Sequence, residues 1–204
     1  FDLRTLSTLF ITHLHSVHIL ELGPLIYTSW ATGLQSHVNV YGPTGLRDYW
    51  DNFLVSLEVD IKNRISNEGR IPLKNIVRFH TVPLKSCKIG SVKALSMEVH
   101  HLPLKECFAY KFVGTKTVTF SGDTCYFPPL AKFAKNSHIL VHEALLTEYV
   151  DTLVKKTSLG YKLRRHLLSS HTPLNQVIKI AKMANCKILV LNHLIPNDDP
   201  EYHR

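Results

Sequence analysis

Thr8-Leu9-Phe10-Ile11-Thr12 runs directly into His13-Leu14-His15-Ser16-Val17-His18, and this junction decides how the chain is read. A short apolar run rich in strand formers and closed by polar residues reads as a buried strand. Three histidines within six residues then fall on a tight turn. The i, i+2 pair His13 and His15 can point at one ion, and His18 can point at a neighbouring position. A lone histidine is more often a satisfied structural residue. Three at this spacing after an apolar strand point to a metal, because neutral imidazole is the commonest metal ligand.

The same pattern recurs outward along the chain. Val38 to Tyr41 ends in Gly42-Pro43-Thr44-Gly45, Thr117 to Phe120 in Ser121-Gly122-Asp123-Thr124, Ile139 to Val141 in His142-Glu143, and Lys187 to Leu191 in Asn192-His193. Ligand groups gather at the carboxyl ends of strands in α/β proteins. His101, Asp123 and His193 are the further candidate ligands. Nitrogen and carboxylate donors suit zinc, and also manganese or iron. A set without thiolate is typical of catalytic zinc rather than structural zinc.

Between the strands the period changes to that of helices. Leu46, Tyr49, Trp50, Phe53, Leu54, Leu57 and Ile61 predict one amphipathic helix, with Thr44 as its N-cap. Residues 128–135 predict a short helix, and 144–168 a helical stretch broken at Gly160. Thr172 as N-cap and Pro173 in the first turn open another helix, whose apolar face is Leu174, Val177, Ile178, Ala181 and Ala184. Residues 62–76, polar and carrying Gly69 and Pro72, predict a loop. Alternating strands and helices argue for an α/β layered domain.

Composition narrows the field. The chain has 204 residues, 45% hydrophobic and 20% charged, which is ordinary for one globular domain and argues against disorder. No apolar run approaches the ~18 residues that span a bilayer. Cys87, Cys107, Cys125 and Cys186 contain no CxxC pair and read as reduced thiols; with no visible signal peptide, the expected location is the cytoplasm. The net charge is +8. Between residues 150 and 190, Lys155, Lys156, Lys162, Arg164, Arg165, Lys179, Lys182 and Lys187 face one acid, Asp151. Such a field favours an anionic partner, while a solvated helical face is the plainer reading.

These residues together resemble the metallo-β-lactamase superfamily in its ribonuclease Z and arylsulfatase-like branch. The hallmark of that family is His-x-His-x-Asp-His after a strand. The resemblance continues, in family order, through Tyr41-Gly42-Pro43-Thr44-Gly45, His101-Leu102-Pro103 with Ala109-Tyr110, Ser121-Gly122-Asp123-Thr124, His142-Glu143-Ala144, His171-Thr172 and His193-Leu194-Ile195-Pro196. It implies a four-layer αβ/βα sandwich over residues 1–204. It also implies one or two zinc ions (or manganese or iron): His13, His15, His101 and Asp123 at the first, and His18, Asp123 and His193 at the second. His101 fits the family pattern better than His100. His171 would act as an acid or oxyanion stabiliser. Glu143 would orient it, unless His142-Glu143 is only a strand-end pair. The implied activity is hydrolysis of phosphodiesters, with RNA as one substrate, or of sulfate-type esters. The expected partners are an anionic ester and a second copy in a homodimer, with no membrane.

Two departures qualify that expectation. Val17 stands where the family has its aspartate, so the second metal loses a carboxylate. Only twelve residues precede His13, where the family places several strands. The first sheet is therefore expected to lack its opening strands, either because the chain is a fragment or because something covers the gap. The alternative to an enzyme is a degenerate relative acting as a binding or regulatory partner, or a truncated product.

Overall fold

A computed structural model describes residues 2–83, 86–157 and 160–196. The chain divides into two compact units, residues 1–83 and 84–204. No helix among the described residues is long and apolar enough to cross a membrane.

The first unit is a parallel sheet with helices. In chain order it contains β1 (Thr8–Phe10), α1 (Ser16–Ile19), α2 (Leu22–Ala31), β2 (Val38–Gly42), α3 (Leu46–Ser56), α4 (Glu58–Glu68) and β3 (Val77–Thr81). The strands lie in the order β1-β2-β3. Thr8 pairs with Asn39, and Val38 pairs with Val77. Alternation along β2 buries Val38 and Val40 on one face, against Ile26, Trp30, Leu46 and Trp50. Strand β1 is thus anchored to a packed sheet, and the turn that follows it inherits that fixed position.

Three expectations about this unit are corrected. The single helix over Leu46 to Ile61 is two, broken at Leu57 (φ −112°, ψ 15°). The apolar stripe hides the break because Ile61 and Ile65 continue it into the same core. The loop expected at 62–76 is instead helical as far as Glu68, followed by a 3₁₀ turn at Leu73–Asn75. Its polar composition is that of a solvated helix face, laced by i, i+4 pairs Glu58–Lys62, Asp60–Arg64 and Arg64–Glu68. Gly69 at φ 68° ends α4 in the left-handed conformation that glycine adopts most easily. The N-cap of α3 is Gly45, not Thr44. Helix α2 had no counterpart in the sequence reading.

The second unit holds β4 (Cys87–Ile89), β5 (Val92–Glu98), β6 (Phe108–Val113), β7 (Thr117–Phe120), α5 (Pro129–Phe133), β8 (Ile139–Leu145), α6 (Thr147–Thr157), α7 (Gly160–Ser170), α8 (Leu174–Ala184) and β9 (Ile188–Ile195). Its sheet runs β4-β5-β6-β7-β8-β9, antiparallel through β7 and parallel from β7 to β9. Parallel neighbours need crossovers, which α5 and α6–α8 supply. Ala131, Ala134, Ala181 and Ala184 are buried where α5 and α8 meet the sheet, and their small side chains let the helices sit close to Leu140. The carboxyl ends of β5, β7, β8 and β9 and the amino end of β6 lie at one edge.

Several boundaries differ from the sequence reading. Residues 144 and 145 belong to β8, so the helical stretch begins at Thr147. Gly160 opens α7 at φ 56°. Pro173 rather than Thr172 is the N-cap of α8; the Thr172 hydroxyl instead donates to the Thr124 carbonyl at 2.6 Å. Strand β9 extends to Ile195, which places His193 inside a strand. There the ladder slips: Glu143 pairs with Asn192 and Ala144 with Leu194, so His193 is the extra residue of a β-bulge, at φ 44°.

Candidate metal centre

In the first unit, the turn after β1 brings three imidazoles together. His13 is fully buried, and its Nδ1 lies 3.0 Å from the Thr12 hydroxyl. Its Nε2 is 3.1 Å from His15 Nδ1, and its ring centre is 4.1 Å from that of His18. Two ligands about 2.1 Å from one tetrahedral ion stand about 3.4 Å apart, so the His13–His15 spacing fits a shared cation. His18 reaches this group from α1. Val17, in the first turn of the same helix, is 76% exposed.

In the second unit the key residue is Asp123, 3% exposed, which follows Gly122 at φ 60° in the turn after β7. Its Oδ2 lies 3.8 Å from His101 Nε2 and 3.4 Å from His193 Nε2. The His101 ring is held in one tautomer. Its Nδ1 lies 2.8 Å from the Ser170 carbonyl, which can only accept, so Nδ1 carries the proton. Burial, the largest influence, lowers the pKa of His101 and keeps it neutral. Its Nε2 therefore turns a lone pair toward a carboxylate oxygen. Two lone pairs facing one another in a buried site are repulsive unless a cation lies between them. The donor set thus fits a metal. His100, the other histidine of that pair, is exposed and packs on Phe127, with ring centres 4.4 Å apart.

Beside this group lies a second pair. Glu143 Oε1 accepts from His171 Nδ1 at 3.0 Å and from the Thr124 backbone N–H at 2.9 Å. Both side chains are buried. The bond directs His171 Nε2 away from the carboxylate. The His171 ring stands edge-on to His101 and is stacked with His193. Adjacent residues of a strand point to opposite faces, which separates Glu143 from His142. His142 Nδ1 donates to the Glu143 carbonyl at 2.7 Å, and burial pulls its pKa down to about 4. His142 is thus turned to the backbone, whereas Glu143 lies against His171.

Within each unit, then, the predicted residues cluster: His13, His15 and His18 in the first, and His101, Asp123, Glu143, His171 and His193 in the second. Sequence reasoning did not find Ser170 and Thr124. Each acts through a backbone group as well as its hydroxyl, and a backbone group leaves no mark in a sequence.

Two sheets with helices, and with histidines and an aspartate at their strand ends, make this the metallo-β-lactamase fold. The YhfI protein of Bacillus subtilis shares it at a TM-score of 0.64 and 19% identity, over 94% of this chain and 66% of that one. The short form of human tRNase Z matches at a TM-score of 0.65 and 19% identity, over 94% and 73%. Ribonuclease Z of Mycobacterium sp. (strain KMS) is 27% identical over 195 residues, covering 94% of this chain and 66% of that protein. The chain thus spans about two thirds of the length of the curated relatives it matches, and it stands on the ribonuclease Z side of the superfamily. More narrowly, it belongs to the family of the anti-Pycsar protein Apyc1, whose profile matches residues 1–191.

Proposed function

We propose that this chain is a metal-dependent hydrolase of phosphodiesters, with RNA among its substrates, and that residues 1–204 act as one metallo-β-lactamase domain. The observation that carries the reading is Asp123 Oδ2, flanked at 3.4 and 3.8 Å by the Nε2 atoms of His193 and His101. His13, His15, His101 and Asp123 would hold the first metal; His18, Asp123 and His193 would hold the second, where Val17 withholds the family's carboxylate. When bound, zinc, manganese or iron would supply a water of lowered pKa and a Lewis acid for the charge that develops on phosphate.

The chain's own residues supply the rest. Glu143 holds the imidazole of His171 in one orientation, so His171 Nε2 can hydrogen-bond a phosphate oxygen or protonate the leaving oxygen. The exposed cations of α6 and α7 support an anionic substrate; of the two acids on these helices, Glu148 and Asp151, the second is engaged by Arg164 at 2.7 Å. The named relatives include a ribonuclease Z and a tRNase Z, which supports RNA.

The test is turnover of bis(4-nitrophenyl) phosphate and an RNA oligonucleotide, with 4-nitrophenyl sulfate as the comparison. We expect phosphodiester cleavage that chelation and Asp123→Asn both abolish. Cleavage that survives chelation, or no cleavage by protein shown to contain metal, would overturn the reading. Exposed Val17 favours a second reading, a degenerate relative that binds rather than cleaves. Elemental analysis separates the two: the hydrolase reading requires about one metal or more per chain.

A further inference from the structure

His166 is a histidine that no part of the proposed chemistry uses. It lies on α7, half-buried, with its ring centre 6.4 Å from that of His101 and 6.3 Å from that of His171. Its protonation pattern follows from its neighbours. The Ser170 hydroxyl is 2.7 Å from the Leu102 carbonyl and 3.2 Å from His166 Nδ1. A hydroxyl has one proton, and a carbonyl can only accept. The proton of Ser170 therefore goes to Leu102, and its oxygen accepts from His166. Nδ1 of His166 carries the hydrogen, and Nε2 is left as an acceptor.

Ser170 thus fixes two imidazoles at once. Its carbonyl accepts from His101 Nδ1 at 2.8 Å and its hydroxyl from His166 Nδ1. A neutral ring with an acceptor at Nε2 is the wrong partner for a phosphate oxygen, which also accepts. It is the right partner for a hydroxyl. In a ribonucleotide strand the 2′-hydroxyl next to each phosphate is a donor that DNA lacks.

We infer that His166 reads a ribose hydroxyl of the substrate through Nε2, and that Ser170 is the positioning residue that holds it in this state. The inference rests on the phosphodiester reading above, because it places a nucleotide beside His101, Asp123 and His171. It assigns the chain a preference for RNA over DNA, set by α7 rather than by the metal ligands.

Binding tests it without turnover. Fluorescent RNA and DNA decamers of one sequence, with cleavage-resistant phosphorothioate links, are titrated into the protein as purified. The wild type is expected to bind RNA more tightly. His166→Ala, on a half-buried helix position, is expected to weaken RNA binding about three- to tenfold relative to DNA, the worth of one hydrogen bond. Ser170→Ala is expected to move the ratio in the same direction. Nitrogen-15 correlation spectra should show the Nδ1–H tautomer of His166 in the wild type and its loss in Ser170→Ala. Equal binding of RNA and DNA by the wild type, an unchanged ratio in His166→Ala, or an Nε2–H tautomer would each overturn the inference. Bis(4-nitrophenyl) phosphate, which has no sugar, separates the two proposals. If metal-loaded protein leaves it and RNA intact while the binding ratio responds to His166, the hydrolase reading falls and the hydroxyl site stands. If it is cleaved and the ratio does not respond, the reverse holds.

Discussion

Glu143 and His171 form a closed carboxylate–imidazole pair, 3.0 Å between Oε1 and Nδ1, with both side chains out of solvent. The same oxygen also accepts the Thr124 N–H, so the glutamate is fixed from two sides. Glu143→Gln keeps an acceptor but loses the charge that steadies a protonated His171. The expected effect is a fall in kcat of about 10- to 100-fold with metal content unchanged. Glu143→Ala should also destabilise the fold by about 1–3 kcal/mol, because buried donors lose their acceptor. Steady-state kinetics beside chemical denaturation of both variants checks this.

Val17 gives a prediction of opposite sign. It is 76% exposed in the helix that carries His18, so a carboxylate there meets no packing obstacle. Val17→Asp is expected to tighten binding of a second metal by about tenfold or more, through a further hard oxygen ligand. Calorimetric zinc titration reads the gain, and an unchanged isotherm would favour the degenerate reading.

His142 sets an acid limit on stability. Its folded pKa lies near 4, against an ordinary value of 6.5. Below pH 6.5 the unfolded chain takes up a proton that the folded chain refuses. Stability contributed by this residue is therefore present above pH 6.5 and lost as pH falls toward 4. The loss between pH 6.5 and 5 should be about 2 kcal/mol. His142→Asn keeps a donor for the Glu143 carbonyl and is expected to flatten that slope in urea denaturation at the two pH values.

The thiols should be graded in reactivity. Cys107 is fully buried, and burial pushes its pKa up to about 12. Cys87, Cys125 and Cys186 are only partly enclosed. Thiolate is the reacting form. In the native protein a thiol reagent is expected to label the other three well before Cys107, and mass spectrometry of the labelled peptides reads the order.

The basic helices make an electrostatic prediction. Lys155, Lys156, Lys162 and Arg165 are exposed on α6 and α7. Replacing all four with glutamine should weaken binding of single-stranded RNA and lower the salt slope by about 3, at roughly 0.7 per neutralised phosphate. Anisotropy titrations across a salt series check it.

How much of this was legible in the sequence differs from residue to residue. Strand-end motifs such as Thr12-His13 and Gly122-Asp123 could be read because one composition marks both a strand's end and a ligand. The helix Glu58–Glu68 reads as a loop in the sequence because its wide solvent face, laced by ion pairs, outweighs the narrow apolar stripe of Ile61 and Ile65. The break at Leu57 was invisible because the stripe runs across it. Strands β3 to β6 and helix α2 went unread. The roles of Ser170 and Thr124 depend on partners 69 and 19 residues away, reached through backbone atoms. No local pattern records those.

His193 sits at the bulge of β9 with a left-handed backbone, a conformation that costs a non-glycine residue about 1–3 kcal/mol. The strand would pair more smoothly without it. Deleting this one residue is therefore a route by which selection for robustness alone would close the ladder and silence the centre. A survey of stabilised variants should find that shortened β9 strands melt higher and no longer hold metal. The irregularity marks where the fold has given up durability to keep an imidazole within reach of Asp123.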